Sequence, residues 1–345
     1  MNDPESRDTP IERLGKFGLI DRLCAGAGKI NPGTVKGPGD DACIIDTGNS
    51  LTLVSSDLLM EGIHFNLVYT PVKHLGYKAV IRGISDIFAM NGRPGQILVS
   101  LGISSRFSVE QIDSLYEGIY LACKRYNIDL AGGDTSSSLT GLTIGITSIG
   151  TVDRESITAR DGAGPNDLVC VTGDLGAAYM GLQVLEREGR LFGMDKSFKP
   201  DLTGYEYIIE RQLKPEFPVD VLEQLREKEI LPTSMIDISD GLASDILHIC
   251  KSSGTGCRLY YEKIPIDTET FNTAEEFGID PVVAALNGGD DYELLFTSPP
   301  ANYSRIMELK DVRIIGHLTA PEQGNMLISP EGTAVELKAQ GWNKL

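Results

Sequence analysis

Four scattered histidines, one tryptophan and no Cys-x-x-Cys pair in 345 residues offer no zinc-ligand spacing, which argues against a zinc hydrolase. Positive charge is also short. Against 49 Asp and Glu stand 31 Lys and Arg, a formal charge of −18. That balance excludes a face built to neutralise nucleic-acid phosphates and disfavours binding to an anionic membrane. No apolar run approaches the length that spans a bilayer. The opening Met-Asn-Asp-Pro-Glu-Ser-Arg-Asp is charged and lacks the apolar core of a signal peptide. Six unpatterned cysteines (24, 43, 123, 170, 250, 257) read as free thiols of a reducing compartment, so the expected location is the cytoplasm. A Walker A loop is missing too. Gly26-Ala27-Gly28-Lys29 has no glycine at the required spacing, and Ile30 follows the lysine where Ser or Thr belongs.

What is present is an ordinary globular composition, 41% hydrophobic and 23% charged. The length calls for two domains of roughly 150 to 190 residues. Residues 1–10 read as disordered. Apolar periodicity predicts helices over 11–25, 73–90, 176–188, 219–229, 242–253 and 273–286, and one opened by the capping box Ser108-x-x-Gln111. Strands are predicted over 96–103, 142–152, 168–172, 258–264, 293–297, 312–318 and 325–328. A short helix is expected near 301–309, and 189–218 has too weak a period to assign. Glycine-rich 161–167 marks a connector. The interleaving indicates an α/β (α+β) protein divided near residue 155.

The chemistry lies in carboxylates placed beside Gly or Ser at the ends of elements. Asp40 and Asp41 follow Gly39; Ser55-Ser56-Asp57 ends a strand. Asp86 sits late in a helix, where a carboxylate opposes the macrodipole and calls for a compensating cation. Asp134 follows Gly132-Gly133, Asp237 and Asp240 flank Ile238-Ser239, and Asp290-Asp291 follow Gly288-Gly289. Any one of these is well explained as a turn or cap residue. Six such motifs together are not. Oxygen donors with scattered histidines select hard cations, Mg²⁺ first, with phosphate oxygens completing the shell. The residues alone therefore point to a Mg²⁺-dependent enzyme handling a phosphorylated ligand.

Taken in order, Gly39-Asp40-Asp41-Ala42, Ser55-Ser56-Asp57, Glu61-Gly62-Ile63-His64-Phe65 and Ile84-Ser85-Asp86 form the first part of a longer series. Gly132-Gly133-Asp134-Thr135, Ile236-Asp237-Ile238-Ser239-Asp240-Gly241 and Gly288-Gly289-Asp290-Asp291-Tyr292-Glu293 complete it. The series resembles the thiamine-monophosphate kinases, within the superfamily of aminoimidazole ribonucleotide synthetase and selenophosphate synthetase. The chain lacks the reactive N-terminal Cys or selenocysteine of the latter and the C-terminal Cys of the related hydrogenase maturation factor.

The resemblance implies a two-domain fold like that of aminoimidazole ribonucleotide synthetase. An N-terminal domain, 11–155, would bind ATP and Mg²⁺ and build a dimeric β-barrel-like interface; 156–345 would be a C-terminal α/β domain. It implies several Mg²⁺ ions held by Asp41, Ser55, Ser56, Asp57, Asp86, Asp134, Asp237 and Asp240. Gly133, Asp134, Arg160, Ser239 and Tyr116 would contact ATP, and His64, Asp290 and Trp342 would face thiamine monophosphate. Asp57, Asp86, Asp134 and Arg160 would serve catalysis. Some relatives carry Glu at the position of Asp290, and Tyr or Phe at that of Trp342. The implied reaction is direct phosphoryl transfer from ATP in a homodimer; another ATP-dependent synthetase of the superfamily, or a Mg²⁺-dependent phosphatase, are the alternatives.

Overall fold

The computed structural model describes residues 13–195 and 199–339. The 1–10 segment and Trp342 lie outside the described residues. The first half holds strands β1 (Thr34–Lys36), β2 (Cys43–Asp46), β3 (Leu51–Met60), β4 (Arg93–Ile103), β5 (Asp129–Ser137) and β6 (Thr143–Val152), with helices α1 (Gly15–Cys24), α2 (Val72–Ala89) and α3 (Val109–Tyr126). The strands form one sheet in the order β1-β2-β3-β6-β4-β5, parallel only between β4 and β5. Helices α2 and α3 cover one face. Leu75, Val80, Ile81, Ile84 and Ile87 of α2 are fully buried there, the apolar stripe expected of a core helix. The chain leaves α2 through Asn91 at φ 59, a left-handed residue that ends the helix. The Ser108–Gln111 capping box forms, and α3 stops at left-handed Asn127. On the opposite, open face, β3 exposes Leu58 and Met60.

The second half contains β7 (Leu168–Thr172), α4 (Ala177–Met194), α5 (Glu206–Leu213), α6 (Val219–Glu227), β8 (Ser234–Asp237), α7 (Leu242–Ser253), β9 (Gly256–Tyr260), α8 (Thr268–Glu276), α9 (Pro281–Asn287), β10 (Leu294–Ser298), α10 (Tyr303–Ile306), β11 (Val312–Thr319), β12 (Asn325–Ile328) and β13 (Ala334–Glu336). Its seven-stranded sheet runs β13-β12-β9-β11-β7-β10-β8. One apolar core joins the two halves. It includes Ile97, Ile144 and Phe88 from the first and Met235, Phe296 and Phe217 from the second.

Three local expectations shift. The segment carrying Gly132-Gly133-Asp134 is a nine-residue edge strand, with an irregularity where Leu98 meets Gly132. The helix expected over 273–286 is two helices, because Gly278 turns at φ 66 and Asp280 caps a new start before Pro281. The expected 258–264 strand is shorter and lies earlier, as β9. Within 189–218, where periodicity was too weak to read, α4 continues to Met194 and α5 follows.

Candidate active site

Strand β2 begins just after Asp41, α2 carries Asp86 near its end, and β8 ends on Asp237. The three elements meet where the halves join. One carboxylate oxygen from each of Asp41, Asp86 and Asp237 lies within 4.8 Å of the others. Ser55 on β3 donates to Asp86, and Ser85 on α2 donates to Asp237 at 2.7 Å. Arg160 pairs with Asp41, and its main-chain N–H reaches Asp40 at 3.3 Å. Arg82 Nε donates to Asp57 at 3.1 Å.

This crowding leaves an electrostatic signature. Burial, followed by the charges of Asp57, Asp237 and Asp41, pushes the Asp86 carboxyl well above the ordinary range. Burial lifts Asp41 to about 7 despite Arg160, and Asp237 to about 6 despite Ser85 and Arg160. Asp57 is raised by burial, against the pull of Arg82. Asp41 Oδ2, Asp57 Oδ2 and Asp245 Oδ2 are buried with no hydrogen-bond partner. One oxygen each from Asp41, Asp86 and Asp237 facing the others, with Asp41 Oδ2 lacking a donor, is a donor set suited to a hard divalent cation. The residues fit Mg²⁺.

Beside this group opens a cavity of about 330 Å³, lined among others by His64, Phe65, Arg82, Ser239, Asp240 and Asp290. Its floor is two glycine turns packed backbone to backbone. A Cβ on Gly241 (φ 103) would stand 2.8 Å from Leu286 O, and one on Gly289 (φ 70) 2.6 Å from Ser239 O. Main-chain bonds from Asp290 N to Ser239 O (2.9 Å) and from Ile238 N to Glu293 O (2.7 Å) lock the turns together. Asp290 is thereby held at φ 59, with its carboxylate taking Lys78 Nζ at 2.9 Å and the Tyr292 hydroxyl at 2.9 Å. Burial opposes its ionisation, but Lys78 and Arg82 outweigh burial and keep it below the usual range. His64 Nδ1 accepts the Met60 N–H at 3.0 Å, which assigns the proton of a neutral ring to Nε2.

Of the residues singled out in the sequence, Asp41, Ser55, Asp57, Asp86, Arg160, Asp237, Asp240, Ser239, His64 and Asp290 come to this centre or its cavity. Others do not within this chain. Ser56 alternates to the exposed side of β3 and meets Thr147 at 3.2 Å. Gly133 and Asp134 lie exposed on edge strand β5, Asp134 opposite Ser100. Tyr116 packs on the core and against Tyr120. Sequence reasoning missed Lys78, Arg82, Asp245 and Lys16. A signal existed for the first two: Lys78, Arg82, Ser85 and Asp86 fall at helical spacing in a helix whose later turns are otherwise apolar.

Residues 39–152 match the family model "AIR synthase related protein, N-terminal domain". A thiamine-monophosphate kinase of Aquifex aeolicus is 31% identical over 88% of this chain and 92% of its own length. That of Buchnera aphidicola subsp. Schizaphis graminum is 32% identical over 95% and 98%. Among solved structures, AaThiL complexed with AMPPCP and TMP superposes with a TM-score of 0.82 at 30% identity, over 98% of this chain and 99% of that one.

Proposed function

The chain belongs to the thiamine-monophosphate kinase family, and from that membership we propose how its site works. The reaction is ATP-dependent phosphorylation of thiamine monophosphate, giving thiamine diphosphate and ADP. The observation that carries the assignment of the site is the convergence of Asp41, Asp86 and Asp237 beside the cavity holding His64, Arg82 and Asp290.

Asp41, Ser55, Asp57, Asp86, Asp237 and Asp240 would hold Mg²⁺. When bound, Mg²⁺ neutralises the polyphosphate and draws the two anionic reactants together. The acceptor is already a phosphate anion, so no strong general base is required. The chain's task is positioning and charge compensation. Arg160, anchored by Asp40 and Asp41, faces the nucleotide phosphates together with Ser239. Arg82, braced between Asp57 and Asp290 (Nη1 3.9 Å from Asp290), borders both the carboxylates and the cavity. There it orients the acceptor phosphate. His64 and Asp290, the latter held by Lys78, contact the thiamine moiety.

Two units, 11–155 and 156–345, supply the two walls. Leu58 and Met60 on the open face of the first sheet are the apolar surface we assign to a homodimer; Gly133 and Asp134 on the neighbouring edge would meet nucleotide in that assembly. Tyr116 and Ser56 keep at most an indirect part. The free thiols, two half-buried and four buried, suit the cytoplasm, and no helix of the described residues is long and apolar enough to cross a membrane. Incubating the purified protein with ATP, Mg²⁺ and thiamine monophosphate should yield thiamine diphosphate by mass, with ADP formed in step. ADP release at the same rate without thiamine monophosphate would sink the kinase reading in favour of a phosphatase.

A further inference from the structure

Helix α1 is an unusual neighbour for the site. It has no buried residue. Among the described residues, Lys16, Phe17 and Asp21 tie it to α7 and the turn before it. Lys16 Nζ takes both carboxylate oxygens of Asp240 at 2.8 Å each, across 224 positions of sequence. Phe17 meets the His248 ring edge-on at 4.4 Å, and Asp21 pairs with Lys251 at 2.8 Å. Past Cys24 the chain turns through Gly26 and Gly28, whose Cβ positions would meet nothing within 4 Å. The Lys16 tie thus ends on a carboxylate assigned above to Mg²⁺.

An ammonium bonded to both oxygens sits at the mouth of the carboxylate, where a divalent ion binding both oxygens would sit. The two cations also repel, so a divalent ion that takes both Asp240 oxygens competes with Lys16 for that position. Asp240 is partly exposed, which keeps the Lys16 contact modest and therefore reversible. We propose that Lys16 is a built-in placeholder for the divalent cation on Asp240: loading of the ion expels Lys16, loosens α1 from α7, and so makes Lys16 a determinant of how much Mg²⁺ the enzyme requires. This rests on the metal reading of the site.

The test uses Mn²⁺ as a spectroscopic probe of the full-length protein, titrated by electron paramagnetic resonance, with Lys16→Gln, Lys16→Arg and Asp86→Asn variants. Lys16→Gln binds Mn²⁺ about two- to fivefold more tightly than wild type, the range of one partly exposed ion pair. Lys16→Arg, which keeps the cation, stays at the wild-type affinity. In the same wild-type protein, amide hydrogen exchange over Gly15–Cys24 speeds up on adding Mg²⁺. The Mg²⁺ concentration for half-maximal kinase activity falls in Lys16→Gln by the same factor. Superposable Mn²⁺ isotherms for wild type and Lys16→Gln, or exchange in α1 that is indifferent to Mg²⁺, overturn the proposal while leaving the metal reading intact, provided Asp86→Asn weakens Mn²⁺ binding. A wild type that binds no Mn²⁺, or binds it no better than Asp86→Asn, overturns the metal reading and this proposal with it.

Discussion

Two groups of buried carboxylates lie on either side of one short motif, and they solve the same electrostatic problem differently. Asp290 turns toward Lys78, Arg82 and the cavity. Asp291 and Glu293, one and three residues on, turn away into a second cluster with Asp174. In that rear cluster the protein supplies a cation of its own, although Asp174 Oδ1 and Asp291 Oδ1 accept no hydrogen bond. Arg211 pairs with Glu293 at 2.8 Å and bonds Asp174 O at 3.1 Å; Thr172 donates to Glu293, Tyr207 to Asp174, and Gly176 N to Asp291 at 2.9 Å. In the front group Arg160 pairs with Asp41 and Arg82 with Asp57, yet oxygens of Asp41, Asp86 and Asp237 still face one another. Among the described residues no other three such groups come together in that way. A guanidinium placed among acids makes structure. Acids left facing each other make a receptor for a cation that the chain does not contain.

The contrast is broken most forcefully from the rear. Arg211→Met strands Asp291 and Glu293 without their cation, and loss of one partner of a buried charge cluster costs about 3–5 kcal/mol. Chemical denaturation should show that loss, with folded protein keeping its kinase activity. A variant of unchanged stability would show the rear acids to be neutral already. The front responds the other way. Asp86→Asn should cut kcat/KM by about 100-fold or more, as for loss of one group that stabilises the transition state. The metal-free protein should be no less stable, because Asn can keep the Ser55 hydrogen bond without the burial cost of an ionisable carboxyl.

Protonation sharpens the same difference. Asp41 and Asp237 sit at about 7 and 6 in the metal-free protein, above their unfolded values. The folded state therefore binds more protons than the unfolded chain between about pH 4 and 7, and the contribution of these carboxyls to stability declines as pH rises through that window. Mg²⁺ must displace those protons to bind. Its stabilising shift in melting temperature should be large at pH 8 and nearly absent at pH 5.5. Asp291, also near 7, is buried beside Arg211 and offers no such group of facing oxygens, so its share of the pH dependence should persist with Mg²⁺ present. A Mg²⁺ shift equal at both pH values would dissolve the distinction between the clusters.

Much of this was legible before the fold. The acid-and-glycine motifs marked Asp41, Asp57, Asp86, Asp237 and Asp240, because Gly and Ser beside a carboxylate at an element end is a local pattern that survives in one dimension. Their partners were less legible, with only the helical spacing of Lys78, Arg82 and Asp86 as a trace. Lys78, Arg82 and Asp245 lie inside helices whose apolar residues dominate the periodicity, and Lys16 reaches Asp240 only through tertiary packing. Nor does a motif say which way each member points. Asp290 and Asp291 look alike in sequence and part company because Asp290 and Tyr292 adopt positive φ (59 and 51) between two packed turns.

Ser55 and Ser56 pose that last question in its smallest form. Sequence resemblance treats them alike as metal donors, but a strand sends neighbours to opposite faces. Ser55 is buried and donates to Asp86, whereas Ser56 is exposed and meets only Thr147 among the described residues. Ser55→Ala removes a hydrogen bond to a buried carboxylate, worth about 1.5 kcal/mol, so kcat/KM should fall roughly tenfold. Ser56→Ala should stay within about twofold, since an exposed hydroxyl exchanges its partner for water. Equal losses in steady-state assays would mean that β3 presents both hydroxyls to the reaction, which a regular strand cannot do from one chain; the second would then have to act across the open face, on the site of another copy.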